Sequence, residues 1–384
     1  MKIADRKHCT GCGACADACP FSCISMELSE EGFLFPSVDE SRCVGCDVCG
    51  RVCHVLNPPE TRSPKKAFAA WAMDDSVRMS SSSGGVYSVL GEYVLEKGGV
   101  ISGCRFDGNM VLKHELCNQP GGTIRFRGSK YVQCYTNGIY REIKDVLADG
   151  RTVLFTATPC QVAGLLTYLG RPYENLITCD LVCHGIPSQM IFRSYLKRHH
   201  LSPDPDRSVI AFRDLKGWGD FYIRISEQGD VKWRSDDANN EFIRAFLSGY
   251  NYNESCYECP YARMERTGDL SLADFWGLGK DIPFGGDPSR GCSLILVNTE
   301  KGETMLQAVR DKLFLAERTL EEARSGNGQL RAPTGRQPMR DNFYKMDWAE
   351  IAPKINYGKP SPLRKLLRAC KRTVKTLLNS GNDK

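Results

Sequence analysis

Cys9, Cys12, Cys15 and Cys19 form a tight run, and Cys43, Cys46, Cys49 and Cys53 repeat it with the same spacings. Thiolates two residues apart can bend around an iron-sulfur cube, while Gly11, Gly13 and Gly45 permit the tight backbone that such a cube needs. Structural zinc is the competing reading. It usually draws on two separated Cys-x-x-Cys pairs and does not need four cysteines in each run. A second group follows in strand-end or loop settings: Cys160, Cys183 and the Cys256/Cys259 pair. Cys160 comes after a strand and opens a helix, where the helix dipole favours a thiolate, as ligand or nucleophile. Nucleophilic catalysis would explain one of the four, whereas a third [4Fe-4S] cluster uses all of them. Cys23 reads as a buried small hydrophobe, and Cys104, Cys117, Cys134, Cys179 and Cys292 as packing residues in or beside apolar runs.

The elements that must position these thiols belong to a chain of 384 residues, 41% hydrophobic, enough for a real core and two or three domains. Nineteen cysteines with no basic segment and apolar stretch ahead of them read as reduced thiols in a cytoplasmic protein. An odd total also fits poorly with a closed disulfide framework. No run of about eighteen apolar residues is present, so no segment is expected to span a bilayer. The net charge of +5 is modest, and no nucleic-acid partner is expected.

Three prolines and several polar residues between Asn57 and Lys66 read as a linker after a cysteine-rich domain of residues 1–57. From Ala67 the pattern changes to short apolar strands, such as Val153–Phe155 and Leu176–Thr178, alternating with helical spacing. Those helical stretches are Val86 to Lys97, Tyr140 to Ala148, Gln161 to Leu169 and Gln189 to His199. The fold class is therefore α/β or α+β. Ser80-Ser81-Ser82-Ser83-Gly84-Gly85 runs directly into the stretch beginning at Val86, as an anion-binding helix N-terminus would. A flexible Ser/Gly linker is the bland alternative. Arg125-Phe126-Arg127-Gly128-Ser129-Lys130-Tyr131 is a second phosphate candidate, or else a solvated edge.

The first 55 or so residues resemble the bacterial two-cluster ferredoxin module. In that module the fourth cysteine of each run crosses to the other cube. The resemblance therefore implies one [4Fe-4S] cluster on Cys9, Cys12, Cys15 and Cys53, and a second on Cys43, Cys46, Cys49 and Cys19. One departure stands out: Cys53 is followed by His54 where the module usually has proline.

The rest of the chain resembles the coenzyme F420 hydrogenase/dehydrogenase beta subunit family. The strings that carry the resemblance are Ser-Ser-Ser-Gly-Gly, Arg-Gly-Ser-Lys-Tyr, Thr-Pro-Cys-Gln, Cys-His-Gly-Ile-Pro-Ser, Phe212-Arg213-Asp214 with Gly217-Trp218, and Leu272-Ala273-Asp274-Phe275-Trp276-Gly277, in the family's order over about residues 65 to 330. The resemblance implies a flavoprotein that moves electrons between a two-electron carrier, such as the deazaflavin coenzyme F420, and one-electron clusters through FAD. A plant-type relative reduces a hydroxymethyl chlorophyll, so the fold does not fix the substrate. Carried over by motif, Ser82, Ser83, Gly84 and Gly85 form one flavin-binding loop and Gly128, Ser129 and Lys130 the second. Both fall in a family N-terminal domain of residues 67–148. Cys160, Cys183, Cys256 and Cys259 become ligands of a third cluster in a C-terminal domain of residues 149–335, with the flavin and substrate site. Ala157 stands where the family commonly has glycine. His184 is a candidate proton donor near the flavin, or a histidine bonded to backbone in a turn.

The partners implied are a ferredoxin or redox partner subunit and a small-molecule redox substrate or deazaflavin. A non-catalytic electron-transfer subunit is the reading from another class, and bound flavin separates the two. The basic tail, residues 360–384, sets Leu363, Leu366, Leu367, Cys370, Val374, Leu377 and Leu378 on one helical face against Arg364, Lys365, Arg368, Lys371, Arg372 and Lys375. Either it attaches peripherally to the inner membrane face or an acidic partner, or it docks on the protein's own body.

Overall fold

A computed structural model describes residues 3–213, 218–236 and 240–346, with 350 and 355. The basic tail lies outside the described residues, as do Asp214 and Gly217 of the motif around Phe212.

The N-terminal unit is small because its turns are dictated by cysteine spacing. Helix α1 (Ala14–Ala18) starts after Gly13 at φ 78°, and α2 (Val48–Arg51) after Asp47 at φ 57°, so a left-handed residue turns the chain between the second and third cysteine of each run. Between them β1 (Ile24–Leu28) and β2 (Leu34–Val38) form an antiparallel hairpin, in register from Ile24 opposite Val38 to Leu28 opposite Leu34.

The body is built on one mixed sheet. Its strands are β3 (Lys66–Ala72), β4 (Val100–Phe106), β5 (Leu112–Cys117), β6 (Val153–Ala157) and β7 (Leu176–Leu181), followed after a small three-stranded sheet, β8 (Ser208–Ala211), β9 (Arg224–Glu227) and β10 (Asp230–Arg234), by β11 (Leu270–Asp274), β12 (Ser293–Val297) and β13 (Leu313–Arg318). The large sheet runs β13-β3-β12-β11-β7-β6-β4-β5. It is parallel through β4, β6, β7 and β11 and antiparallel at both ends. Strands from both sides of residue 148 thus share one sheet.

Both faces of the sheet are covered, which is why its central strands read as unbroken apolar runs. The body's first helices are α3 (Asp75–Met79), α4 (Val86–Glu96), α5 (Ile139–Ala148) and α6 (Pro159–Leu169). Leu154 packs with Val86, Leu90 and Val94 of α4, while its neighbours Val153 and Phe155 pack on the other face with Ile143 of α5 and Val162 and Leu165 of α6.

The N-terminal unit rests on this second face. Cys12, Ala14 and Val52 join the α5/α6 cluster. Thr167 Oγ1 donates to Val52 O at 2.6 Å, Arg141 Nε donates to Asp17 O at 2.8 Å, and the buried Arg340 forks onto Glu31 with two bonds of 2.6 Å. The intervening segment is tethered where Arg62 and Arg266 exchange backbone hydrogen bonds of 2.9 Å.

Candidate cluster sites and cavity

Two small voids in the N-terminal unit separate the eight cysteines. Cys9, Cys12, Cys15 and Cys53 line one; Cys19, Cys43, Cys46 and Cys49 line the other. The structure thus brings together the two sets expected from the crossed pattern. Backbone N–H groups of Gly11, Ala14 and Ala16 point at the sulfurs of Cys9, Cys12 and Cys15. Such bonds stabilise sulfur charge around a cluster. Burial pushes the Cys9 thiol up to about 11 and the Cys15 thiol up to about 12, so a metal entering here must displace protons.

Cys23 differs from its expected role. It is buried, but it lines the second void, its Sγ 3.3 Å from Cys19 Sγ. Ser22 at φ 49° folds the chain back after Cys19-Pro20, a turn that spacing alone did not reveal. The second void therefore has a fifth sulfur on its wall.

His54 has a specific place. It is 2% exposed, and its ring joins Thr10 Oγ1 at 2.9 Å to Tyr261 Oη at 2.8 Å. Burial lowers its pKa to about 4, so the ring is neutral. The residue that departs from the ferredoxin pattern thus ties the first cysteine run to the segment just after Cys259.

Cys160, Cys183, Cys256 and Cys259 come from three parts of the chain. Cys160 is the second residue of α6, Cys183 lies just past β7, Cys256 ends a short 3-10 turn, and Cys259 follows it. Cys183 and Cys256 each have two or more of the others among the charges acting on them, and Cys160 has Cys259 together with Cys12 of the first run. Burial dominates and pushes Cys160 and Cys183 up to about 12, outweighing the helix-terminus effect expected at Cys160. Asp180 fixes the group. Its buried carboxylate accepts from Arg266 Nη2 at 2.7 Å and Nε at 3.1 Å and from the N–H groups of Thr267 and Gly268, pinning β7 to the segment after Cys259. Further along α6, Gly164 leaves room for the first run: a Cβ there would lie 3.0 Å from Cys12 Sγ.

Beside these cysteines lies a cavity of about 320 Å³. Ser82, Ser83 and Gly85 line one part, Gly128, Ser129 and Lys130 another, and Cys160, Cys183 and His184 a third; Thr10 and Gly11 reach it from the N-terminal unit. The two loops touch, for Ser129 N–H donates to Ser82 Oγ at 2.8 Å. Gly84 is packed away from the opening, where a Cβ would meet Ala70 O at 2.2 Å. Lys130 also differs from expectation. Its ammonium donates to the carbonyls of Phe126, Arg127 and Gly128 at 3.0–3.3 Å, clamping its own loop. His184 is exposed, with its pKa lowered by desolvation, while its carbonyl accepts from Thr334 Oγ1 at 3.1 Å. Asp274 accepts from Arg213 at 2.7 Å and Trp218 Nε1 at 3.0 Å, which accounts for the pairing of those motif strings.

The cavity suits an anionic, partly apolar ligand. Helix α4 begins at Gly85 with no side-chain cap, and Gly85, Val86 and Tyr87 line the opening. Tyr87 Oη and Gln133 Nε2 are buried in its wall without a hydrogen-bond partner among the described residues. Cys104 and Cys134, expected in the core, face this cavity as well. They stand at the end of the sheet, where strand alternation gave no sign of an opening.

A cysteine-rich dicluster unit on a mixed α/β body defines an iron-sulfur electron-transfer protein. Residues 8–56 match the 4Fe-4S dicluster domain, and residues 150–323 match the family described as the C terminus of the coenzyme F420 hydrogenase/dehydrogenase beta subunit. Residues 150–323 thus resemble that family's C-terminal domain, with the dicluster domain ahead of them. No curated protein matches the sequence. Among solved structures, a chain of the xenon-derivatised F420-reducing [NiFe] hydrogenase complex from Methanosarcina barkeri is 17% identical, with a TM-score of 0.47, covering 77% of this chain and 89% of that one. Among the described residues no helix is long and apolar enough to cross a membrane.

Proposed function

We propose that the chain is an FAD-dependent iron-sulfur oxidoreductase that passes electrons between an organic two-electron carrier or substrate and a one-electron partner. The observation that carries this reading is the shared cavity, whose wall includes both Ser/Gly loops, two cysteines of the third group and the Thr10-Gly11 turn of the first run. FAD, when bound, exchanges a hydride equivalent with an organic molecule and single electrons with a cluster. The uncapped N-terminus of α4 and the Ser82/Ser129 contact would hold its phosphates, and Lys130 would keep the second loop in shape. Cys160, Cys183, Cys256 and Cys259 would hold a [4Fe-4S] cluster at the cavity wall. Cys9, Cys12, Cys15 and Cys53 would hold another beside it, and Cys19, Cys43, Cys46 and Cys49 a third near the surface. There a ferredoxin or partner subunit would dock. His184, exposed beside Cys183, is the candidate proton donor for the substrate.

The test is anaerobic purification with quantification of iron, sulfide and dinucleotide. About twelve irons per chain, from three four-iron cubes, and one FAD are expected. NAD or no dinucleotide in protein purified under mild conditions would overturn the flavin assignment, and about eight irons would remove the third cluster.

A further inference from the structure

Three side chains that play no part in the sites above converge on one wall of the cavity. Cys104 on β4 stands directly opposite His114 on β5. Cys134 comes from the segment on the other side of β5, where Lys113 and Tyr135 form a parallel bridge and His114 N–H donates to Tyr135 O at 2.9 Å. One sulfur from Cys104, one from Cys134 and one ring nitrogen of His114 all lie within 4.8 Å of one another. The nearest pair, Cys104 Sγ and His114 Nε2, is 3.5 Å apart.

These distances suit a tetrahedral metal. Bonds of about 2.3 Å to sulfur and about 2.1 Å to nitrogen place ligand atoms roughly 3.5–3.8 Å apart. They suit a disulfide less well. The two cysteines flank β5, and two strand spacings of about 4.8 Å separate their backbones by more than the roughly 7 Å that a disulfide spans.

The surroundings also resemble those of a ligating histidine. His114 Nδ1 lies 3.1 Å from Ser102 Oγ, which fixes the ring and leaves Nε2 toward the sulfurs. Gln161 packs on the other side, its Nε2 donating to Cys134 O at 2.8 Å and its Oε1 accepting from Thr158 Oγ1 at 3.0 Å; the His114 Nε2–H that can reach this Oε1 at 3.3 Å is given up when the ring carries its proton on Nδ1 and Nε2 ligates. His114 is 4% exposed, whereas Cys104, Cys134 and Gln161 line the cavity, so the open side of the trio faces the cavity.

We infer that Cys104, His114 and Cys134 hold a mononuclear divalent metal of the zinc class, its fourth position open to the cavity for water or an oxygen atom of the substrate. Two thiolates and a neutral imidazole balance the ion's charge. Three protein ligands with one open position are the arrangement of catalytic zinc sites. Binding displaces the thiol protons and forms two metal-sulfur bonds and one metal-nitrogen bond, with no change of oxidation state.

The experiment measures zinc and iron together in the full chain, purified anaerobically with its clusters and equilibrated with Zn²⁺ before gel filtration. Wild type should carry about one zinc per chain in addition to iron, and X-ray absorption at the zinc edge should show two sulfurs and one nitrogen, with a light fourth ligand. His114→Ala and Cys134→Ser should each lose the zinc and keep wild-type iron, which also shows that they fold. Wild type without zinc, zinc bound by four sulfurs or by none, or variants that keep iron and zinc alike would overturn the assignment. Because the spectrum is taken on wild type, an unfolded variant does not leave the question open.

Discussion

The two halves of the duplicated cysteine run end in unlike surroundings. Around the first, the body closes in: Thr136 Oγ1 donates to Cys12 O at 2.9 Å, Gly164 makes space for Cys12 Sγ, and His54 reaches Tyr261 beside Cys259. Around the second, Cys46 is exposed, and Phe21 and Val44 on its rim are 46% and 61% exposed. Identical spacing therefore yields two different electrical positions. On the proposed function, the cube in the covered site would exchange electrons with its internal neighbours, and the one in the exposed site would meet another molecule. The proposed division of labour would come mainly from what the body covers, since each run supplies four cysteines at the same spacings and the second void adds only Cys23.

The comparison is broken most severely by removing one cluster at a time. Cys9→Ser, Cys46→Ser and Cys160→Ser should each lose about four irons per chain. Cys46→Ser should abolish electron exchange with an external one-electron donor while leaving dinucleotide content unchanged, because that void shares no lining residue with the cavity of the Ser82 and Ser129 loops. If Cys160→Ser keeps full iron content while Cys9→Ser reduces it, the third cluster falls. The chain is then a ferredoxin unit fused to another domain.

His54→Pro sharpens the comparison by restoring the usual ferredoxin residue. It deletes the hydrogen bonds to Thr10 and Tyr261 and leaves two polar groups inside the protein to find other partners. A loss of roughly 1–2 kcal/mol is expected in anaerobic denaturant titration. If His54 is a link between the first run and the body, the first cube should also become more easily lost to a chelator than the second. Equal lability of both cubes would mean that the ring merely fills space.

Much of this was legible in residue types. The eight cysteines, the alternation of strands with helices after Ala67, and the starts of the helices near Val86 and Gln189 all follow from local chemistry: thiolate spacing, apolar period and turn residues. The third cysteine group was legible as a set because each member sits at a strand end or turn. What escaped depended on contacts distant in sequence. Cys23 looked like packing because its return to Cys19 rests on the positive φ of Ser22. Lys130 looked like a phosphate ligand because its type and neighbours suit one, but three carbonyls of its own loop accept its hydrogen bonds. Cys104 and Cys134 looked like core because they lie in or beside apolar stretches. Their exposure to the cavity is set by the end of the sheet, which periodicity along one strand does not encode.

The smallest expected effect on stability, and the most specific on function, comes from the rim of the second void. Phe21 and Val44 line that void and are also exposed, so replacing both by serine removes little buried surface and should change stability by no more than about 0.5 kcal/mol. Electron-transfer encounters use small interfaces, in which a few exposed apolar side chains exclude water around the point of closest approach. If the second cube is the docking point, Phe21→Ser/Val44→Ser should slow reduction by a protein donor such as a ferredoxin and leave reduction by a small inorganic reductant unchanged. Iron content should stay at the wild-type value. Slowing with both reductants would show that the cube itself had been perturbed, and slowing with neither would move the docking surface elsewhere. Only the first pattern separates a surface that recognises a partner from a surface that simply leaves a cluster within reach of solvent.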